Sequence, residues 1–289
     1  MSIKNIKLIL EEIGIEPNKK RGQNFLIDKN LLNKIILESE ITENDIILEV
    51  GGGLGALTEK LSPKAKKLYV YEIDYKLYEY LSTKFSKFNN TEIINEDILK
   101  AEIPLHNKVV SNIPYTITGP LFQKLFYKED PPQGIMIIEK SLADRIFFSY
   151  NYKHISRISI MFNSFMEPIE LFDVSSKCFY PSPTIKLSLV KVKPKKNINQ
   201  FLLNIQSREF YTKFIAGMMP YKNKNLLNAL KLYFHNIGSI NITKDDITGI
   251  LKEYNFENEK VFNYKINDFI RLSEILFNLN ENKSKGVNS

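Results

Sequence analysis

Tryptophan is absent from this chain of 289 residues, and cysteine and histidine are nearly so, at one Cys and three His. A lone cysteine, Cys178, cannot close an internal disulfide, so a reducing compartment fits. The scattered histidines leave no zinc-ligand spacing, and no metal is expected. Long apolar runs are missing too. None reaches the roughly 18 residues that span a bilayer, so no membrane partner is expected. In the first twenty residues Glu11 and Glu12 close the only apolar stretch, no small-residue cleavage site follows, and no arginine precedes Arg21. These features read as neither a secretory signal nor a mitochondrial presequence, and a cytoplasmic setting is expected. With 43% hydrophobic and 25% charged residues, the composition excludes collagen-like, coiled-coil and wholly disordered chains.

Charge of one sign is in modest excess: 40 Lys and Arg against 33 Asp and Glu, a net charge of +7. That balance suits a polyanion such as nucleic acid. The basic residues cluster at Lys19-Lys20-Arg21, at Lys191, Lys193, Lys195 and Lys196, and at Lys222 and Lys224.

Short β-branched runs at 46–50, 68–73, 92–95, 109–113 and 135–139 alternate with helical spacing at 54–61, 75–85 and 120–126. Such alternation implies a parallel sheet with helices on both faces, an α/β fold of Rossmann-like type. Two further strands, 168–174 and 187–192, have only the turn Phe179-Tyr-Pro-Ser-Pro183 between them and are expected to pair antiparallel. The polar, proline-broken stretch 191–199 reads as a linker. Beyond it the spacing is helical at 201–219, 225–234, 245–254 and 267–279, with a disordered tail from Asn280. The expected organisation is an α/β domain over residues 1–196 and a small all-α domain over 197–289.

Glu49-Val-Gly-Gly-Gly-Leu-Gly55 follows the first of these strands and opens a helix. Gly51 and Gly53 permit tight turns and let a ligand approach the backbone, and Glu72 lies about 20 residues onward at a second strand end. A carboxylate there can accept from both ribose hydroxyls of an adenosyl cofactor. NAD and S-adenosylmethionine are equally served, and a glycine turn before a packing helix is the bland alternative. Asp97 can accept from an adenine amine with Ile98 packed on the ring, although an acid at a strand end is more commonly a helix cap.

Asn112-Ile113-Pro114-Tyr115 ends the fourth strand and bears on the chemistry. An adenine N6 amine is a poor nucleophile because its lone pair is delocalised into the ring. The Asn112 side-chain oxygen and the carbonyl of Ile113 or Pro114 can bind both N6 hydrogens and favour a pyramidal nitrogen. Pro114 holds the backbone in an extended bend. Tyr115 offers a face for a base taken out of its helix. An oxidoreductase has no use for this motif, and no catalytic His or Tyr/Lys pair stands in a recognisable setting. Cys178 and the histidines receive no role.

At these residues the chain resembles the KsgA-type ribosomal RNA adenine dimethyltransferases and, more distantly, the Erm-type resistance methyltransferases. The resemblance covers about 13–193. Gly22-Gln-Asn-Phe-Leu-Ile-Asp28 is similar to the family's N-terminal signature. The glycine loop matches with Gly52 in place of the usual Pro or Ser. Tyr71-Glu-Ile-Asp74, Glu96-Asp97, Asn112–Tyr115, Glu139-Lys-Ser-Leu-Ala-Asp-Arg145 and Phe179–Pro183 follow in order. The resemblance implies S-adenosylmethionine as cofactor, held by Asn24, Leu26, Gly51, Glu72, Asp97 and Asn112. It implies a target base held by Asn112, Tyr115 and Phe179, with Phe179 stacked on the face opposite Tyr115. It further implies dimethylation of two adjacent adenines near the 3′ end of small-subunit rRNA, with a helical domain that contacts RNA; a monomer is expected. The Erm relatives modify one adenine of large-subunit rRNA, and a relative that has lost turnover is a third possibility that the intact Asn112–Tyr115 motif argues against.

Overall fold

A computed structural model describes residues 3–17, 22–147, 155–237 and 243–284, the side chains of 237 and 281–284 excepted. The chain divides into two compact units: residues 1–147 with 166–194, and 148–165 with 195–289. The expected division after residue 196 lies close to the later crossing, and the segment 148–165 groups with the second unit.

The first unit carries α1 (Ile3–Glu12), β1 (Phe25–Leu26), α2 (Lys29–Ser39), β2 (Ile46–Val50), α3 (Thr58–Leu61), β3 (Lys67–Tyr71), α4 (Tyr75–Lys84) and β4 (Thr91–Ile94). It continues with β5 (Lys108–Asn112), α5 (Thr118–Phe126), β6 (Gln133–Glu139) and α6 (Lys140–Ile146), and resumes with β7 (Met166–Val174), β8 (Phe179–Tyr180) and β9 (Leu187–Pro194). Seven strands form one sheet in the order β4-β3-β2-β5-β6-β9-β7. The first five are parallel, and β9 runs antiparallel to both β6 and β7. The antiparallel end expected from sequence is therefore present, with β9 inserted beside β6. Near-continuous Ile, Leu and Val runs suit strands covered on both faces. On one face Ile47, Leu68, Val110, Ile135, Ile137 and Leu189 meet Leu31, Leu32 and Ile35 of α2 and Leu61 of α3. Each fully buried aliphatic side chain contributes about 1.5–3 kcal/mol. Asp28 caps α2 by accepting from Leu31 N at 2.7 Å, and Asp74 caps α4 by accepting from Lys76 N at 3.1 Å.

The sequence reading differs from the structure in several elements. The helix expected over 54–61 is only α3, because Gly55 adopts φ +76° and delays the helical turn. The helices α1, α2 and α6 lie outside the expected helical segments, although α2 opens on the Asp28 cap. The tail expected to be disordered from residue 280 is helical through Ser284.

The second unit carries α7 (Arg157–Phe165), α8 (Ile205–Met218), α9 (Leu226–Ile237), α10 (Lys244–Glu253) and α11 (Ile266–Ser284). Tyr211 and Ser164 share a buried hydrogen bond of 2.9 Å between their hydroxyls. Phe214 and Tyr233 pack edge to face at 5.3 Å. Asn204 caps α8 and a Thr243/Asp246 capping box opens α10.

Candidate active site

β2 lies between β3 and β5, so the connections leaving the two sides of β2 part at its carboxyl end and open a crevice there. The crevice encloses about 270 Å³ and is lined by Asn24, Gly51, Gly53, Glu72, Asp97, Ile98, Asn112 and Pro114, eight of the residues singled out from sequence. Phe25, Ile73 and Thr116 line it as well. Leu26 lines a smaller adjoining cavity together with Asn24, Gly51, Gly53 and Asn112.

The glycine loop is held from the β3 side. Gly51 N donates to Tyr71 O at 2.8 Å, Gly53 N donates to Glu72 Oε2 at 3.0 Å, and Asp74 N donates to Glu72 Oε1 at 3.0 Å. Gly51 and Gly53 have φ of +79° and +55°, a region glycine enters without steric cost. Gly52 has ordinary φ, yet a Cβ there would lie 2.6 Å from Val70 Cγ1 and 2.7 Å from Leu81 Cδ1. The glycine that departs from the family pattern is therefore matched by its own neighbours.

Glu72 is buried, and burial raises its pKa against the opposing hydrogen bonds from Asp74 and Gly53. Glu49, quoted from the motif but given no role from sequence, is buried more fully. Desolvation pushes its carboxyl up to about 8, with the Glu72 charge adding to the rise. Its Oε2 accepts from Thr58 Oγ1 at 2.8 Å. Asp97 caps the following turn by accepting from Leu99 N at 3.0 Å, so its capping and its crevice position coexist.

On the β5 side Asn112 Nδ2 donates to the Asn24 carbonyl at 3.2 Å. Asn112 Oδ1 is buried and has no partner, and the buried Tyr115 hydroxyl also lacks one. Burial raises the Tyr115 phenol pKa well above its ordinary value. The Pro114 carbonyl accepts from Ile117 N at 3.2 Å. Tyr115 is half-buried against the cluster that contains Phe179.

Phe179 lies in the core of the first unit. It is 2% exposed and presents no open face for stacking. The cause is a two-residue antiparallel ladder in which β1 and β8 pair Leu26 with Phe179 and Phe25 with Tyr180. Ile27 N extends the pairing by donating to Cys178 O at 2.9 Å. Nothing in the local sequence signals this pairing, because each strand is two residues long and the partners are distant in the chain.

The basic clusters also separate. Lys191 pairs with Glu40 at 2.8 Å, Lys193 with Glu167 at 3.4 Å, and Lys222 Nζ donates to the Ile155 carbonyl at 3.0 Å. Lys224 is exposed. Lys19, Lys20 and Arg21 lie outside the described residues. Among the described residues no helix is long and apolar enough to cross a membrane, and no acid, His or Cys group could hold a metal ion.

The crevice fits an adenosyl group. Gly51 and Gly53 line it with bare backbone, and a Cβ at either would crowd the wall residues Pro114 or Phe25, each at 3.2 Å. The Glu72 oxygens each retain a lone pair for a hydroxyl donor. Fold and site are those of an S-adenosylmethionine-dependent methyltransferase.

Comparison with known proteins narrows the class. The chain belongs to the ribosomal RNA adenine dimethylase family, whose sequence model matches residues 15–272. It is 34% identical over 278 residues to the ribosomal RNA small subunit methyltransferase A of Borreliella burgdorferi, covering 95% of this chain and 94% of that protein. It is 33% identical over 270 residues to the probable ribosomal RNA small subunit methyltransferase A of Pyrococcus abyssi, covering 93% and 95%. A solved dimethyladenosine transferase from Plasmodium falciparum superposes with a TM-score of 0.73 at 27% identity over 91% of this chain and 98% of that one. The structure of the 23S rRNA methyltransferase ErmE shares the fold with a TM-score of 0.61 at 24% identity, covering 88% and 100%. Family membership removes the NAD-dependent oxidoreductase alternative.

Proposed function

We propose that this enzyme, acting as a monomer, transfers two methyl groups to N6 of each of two adjacent adenines near the 3′ end of small-subunit rRNA. It would act in the compartment where ribosomal subunits are assembled, in accord with the expected cytoplasmic setting. The observation that carries this reading is the buried, unpartnered Oδ1 of Asn112 at the crevice. A buried acceptor without a partner costs about 1–3 kcal/mol, so an amine hydrogen placed there relieves a standing penalty. The Asn24 carbonyl holds the other end of the amide, which fixes Oδ1 as the group left for the base. Pro114 O is already engaged by Ile117 N, so the Ile113 carbonyl is the better second acceptor for N6.

S-adenosylmethionine, when bound, supplies an electrophilic sulfonium methyl. Gly51, Gly53, Glu72, Asp97 and Ile98 hold its adenosyl part, Asn24 and Asn112 sit where the β5 side reaches it, and Leu26 supports them from the adjoining cavity. Asn112 and Ile113 orient N6 in line with the methyl, and no strong base is required. Proximity and orientation supply most of the rate. Tyr115 supplies the stacking ring, with Pro114 fixing its backbone. Phe179 is proposed to stack on the face of the base opposite Tyr115. All of these residues belong to one unit of one chain, in keeping with action as a monomer. Lys224 and the segment 19–21 supply phosphate contacts, the former from the helical domain.

The test is incubation with labelled S-adenosylmethionine and unmethylated small or large ribosomal subunits. Label in two adjacent adenines of the small-subunit RNA, recovered mainly as dimethyladenine, is the expected result. Label in the large-subunit RNA alone would replace this reading with the Erm-type one.

A further inference from the structure

The ladder between β2 and β5, the two strands that flank the crevice, is short. It pairs Ile47 with Lys108 and Leu48 with Val109 and then stops. Beyond that point the main chains are joined through a side chain. Ser111 Oγ accepts from Val50 N at 3.2 Å and donates to Val50 O at 2.7 Å. Ser111 is 1% exposed and Val50 is 2% exposed, so water is not an alternative partner. Val50 is the residue before Gly51, and Ser111 is the residue before Asn112.

We propose that Ser111 is a positioning residue that sets the separation between the cofactor loop and Asn112, and through it the alignment of methyl donor and target amine. The proposal rests on the methyl-transfer reading above. A hydroxyl standing between two strands holds their backbones farther apart than direct ladder bonds would, and at a fixed distance. The crevice opens where the strands part, and the same hydroxyl keeps that parting from varying. The cofactor loop has independent anchors on its other side, at Tyr71 O and Glu72 Oε2. Loss of the Ser111 hydroxyl therefore frees mainly the end of β5. Cofactor affinity should be nearly unchanged while transfer, which depends on near-attack geometry, should suffer. Misplacement by about 1 Å can cost on the order of 10²-fold in rate.

The test compares wild type with Ser111→Ala, Ser111→Cys and Ser111→Thr. Methylation of unmethylated ribosomal subunits is measured by the wild type first, and a wild type without activity refutes the methyl-transfer reading instead of this one. With active wild type, Ala and Cys should lower kcat by about 10- to 100-fold and shift product toward monomethyladenine. Their cofactor Kd by calorimetry should stay within about threefold, and Thr, which keeps the hydroxyl, should recover much of kcat. Ser111→Ala combined with Asn112→Ala should be no slower than Asn112→Ala alone, because both act on one alignment. Hydrogen exchange of the wild-type Val50 amide requires no variant to fold, and that amide should be strongly protected. Wild-type kcat in the Ala and Cys variants would overturn the proposal. So would a fall in kcat matched by the loss of cofactor affinity and of melting temperature, or rapid exchange at Val50.

Discussion

The two walls of the crevice are built differently. On the β3 wall the loop amides of Gly51 and Gly53 and both oxygens of Glu72 have partners within the chain. On the β5 wall Asn112 Oδ1 and, just beyond it, the Tyr115 hydroxyl are buried without partners, while Phe179 of β8 is folded into the core. The cofactor wall is preorganised, so little ordering entropy remains to be lost when the small ligand binds. On the proposed reading, the β5 wall keeps one acceptor, Asn112 Oδ1, whose partner arrives with the substrate. Discrimination against a wrong base follows from the same arrangement, since a ligand that cannot donate to Oδ1 leaves the penalty in place.

The sharpest way to break this comparison is Asn112→Ala. It should reduce methyl transfer by about 10²–10³-fold, the usual cost of removing a group aimed at the reacting centre. Cofactor binding, weakened but detectable by calorimetry, should survive, and a wild-type rate would refute the assignment. Next in size is Glu72→Ala on the opposite wall. It should weaken S-adenosylmethionine binding by about 1.5–3 kcal/mol, the range for a hydrogen bond to a charged group. A variant with unchanged cofactor Kd would show that the β3 wall does not hold the ribose.

Tyr115 sharpens the contrast. Tyr115→Ala should weaken the RNA complex by about 1–3 kcal/mol through lost stacking. Tyr115→Phe should keep activity and melt no lower than wild type, because the hydroxyl it removes is buried and unpartnered. Equal inactivity of the Phe and Ala variants would assign the hydroxyl a role that the free enzyme gives no sign of. The smallest effect concerns pH. Glu49 has a folded-state pKa raised to about 8 from an ordinary value of 4.5. A raised carboxyl favours the fold below its unfolded pKa, and that favour is lost as pH rises through the folded value. The wild type should therefore melt at progressively lower temperature from about pH 4.5 to about pH 8, and Glu49→Gln should flatten that slope. Parallel profiles for the two proteins would remove Glu49 as the cause.

Much of this was legible in the sequence, for physical reasons that differ between residues. The five parallel strands declared themselves because buried strands are continuous apolar runs. Gly51, Gly53 and Glu72 were legible because a tight turn and a carboxylate at fixed spacing express a ligand's shape. The burial of Phe179 was not, because a two-residue strand has no period to read. The bond from Ser111 to Val50 was hidden likewise, since a serine inside an apolar strand looks the same whether it bridges strands or merely fills space. The pairing of Lys191 and Lys193 is not legible in the basic cluster, because their acid partners Glu40 and Glu167 lie far off in the chain.

The β1–β8 pairing also bears on how the protein is made. Leu26 and Phe179 stand roughly 150 residues apart in the chain, and contacts of such separation form late because a large loop must close first. During synthesis the cofactor loop and Glu72 emerge early, whereas Phe25 and Leu26 wait for a partner strand not yet translated. A chain stopped before residue 179 would retain the glycine loop and Asn112 without the ladder that holds β1 beside them. The β1 side of the site can therefore be completed only after residue 180 has been made. A series of stalled nascent chains probed by protease should show β1 becoming protected only after β8 has left the ribosome.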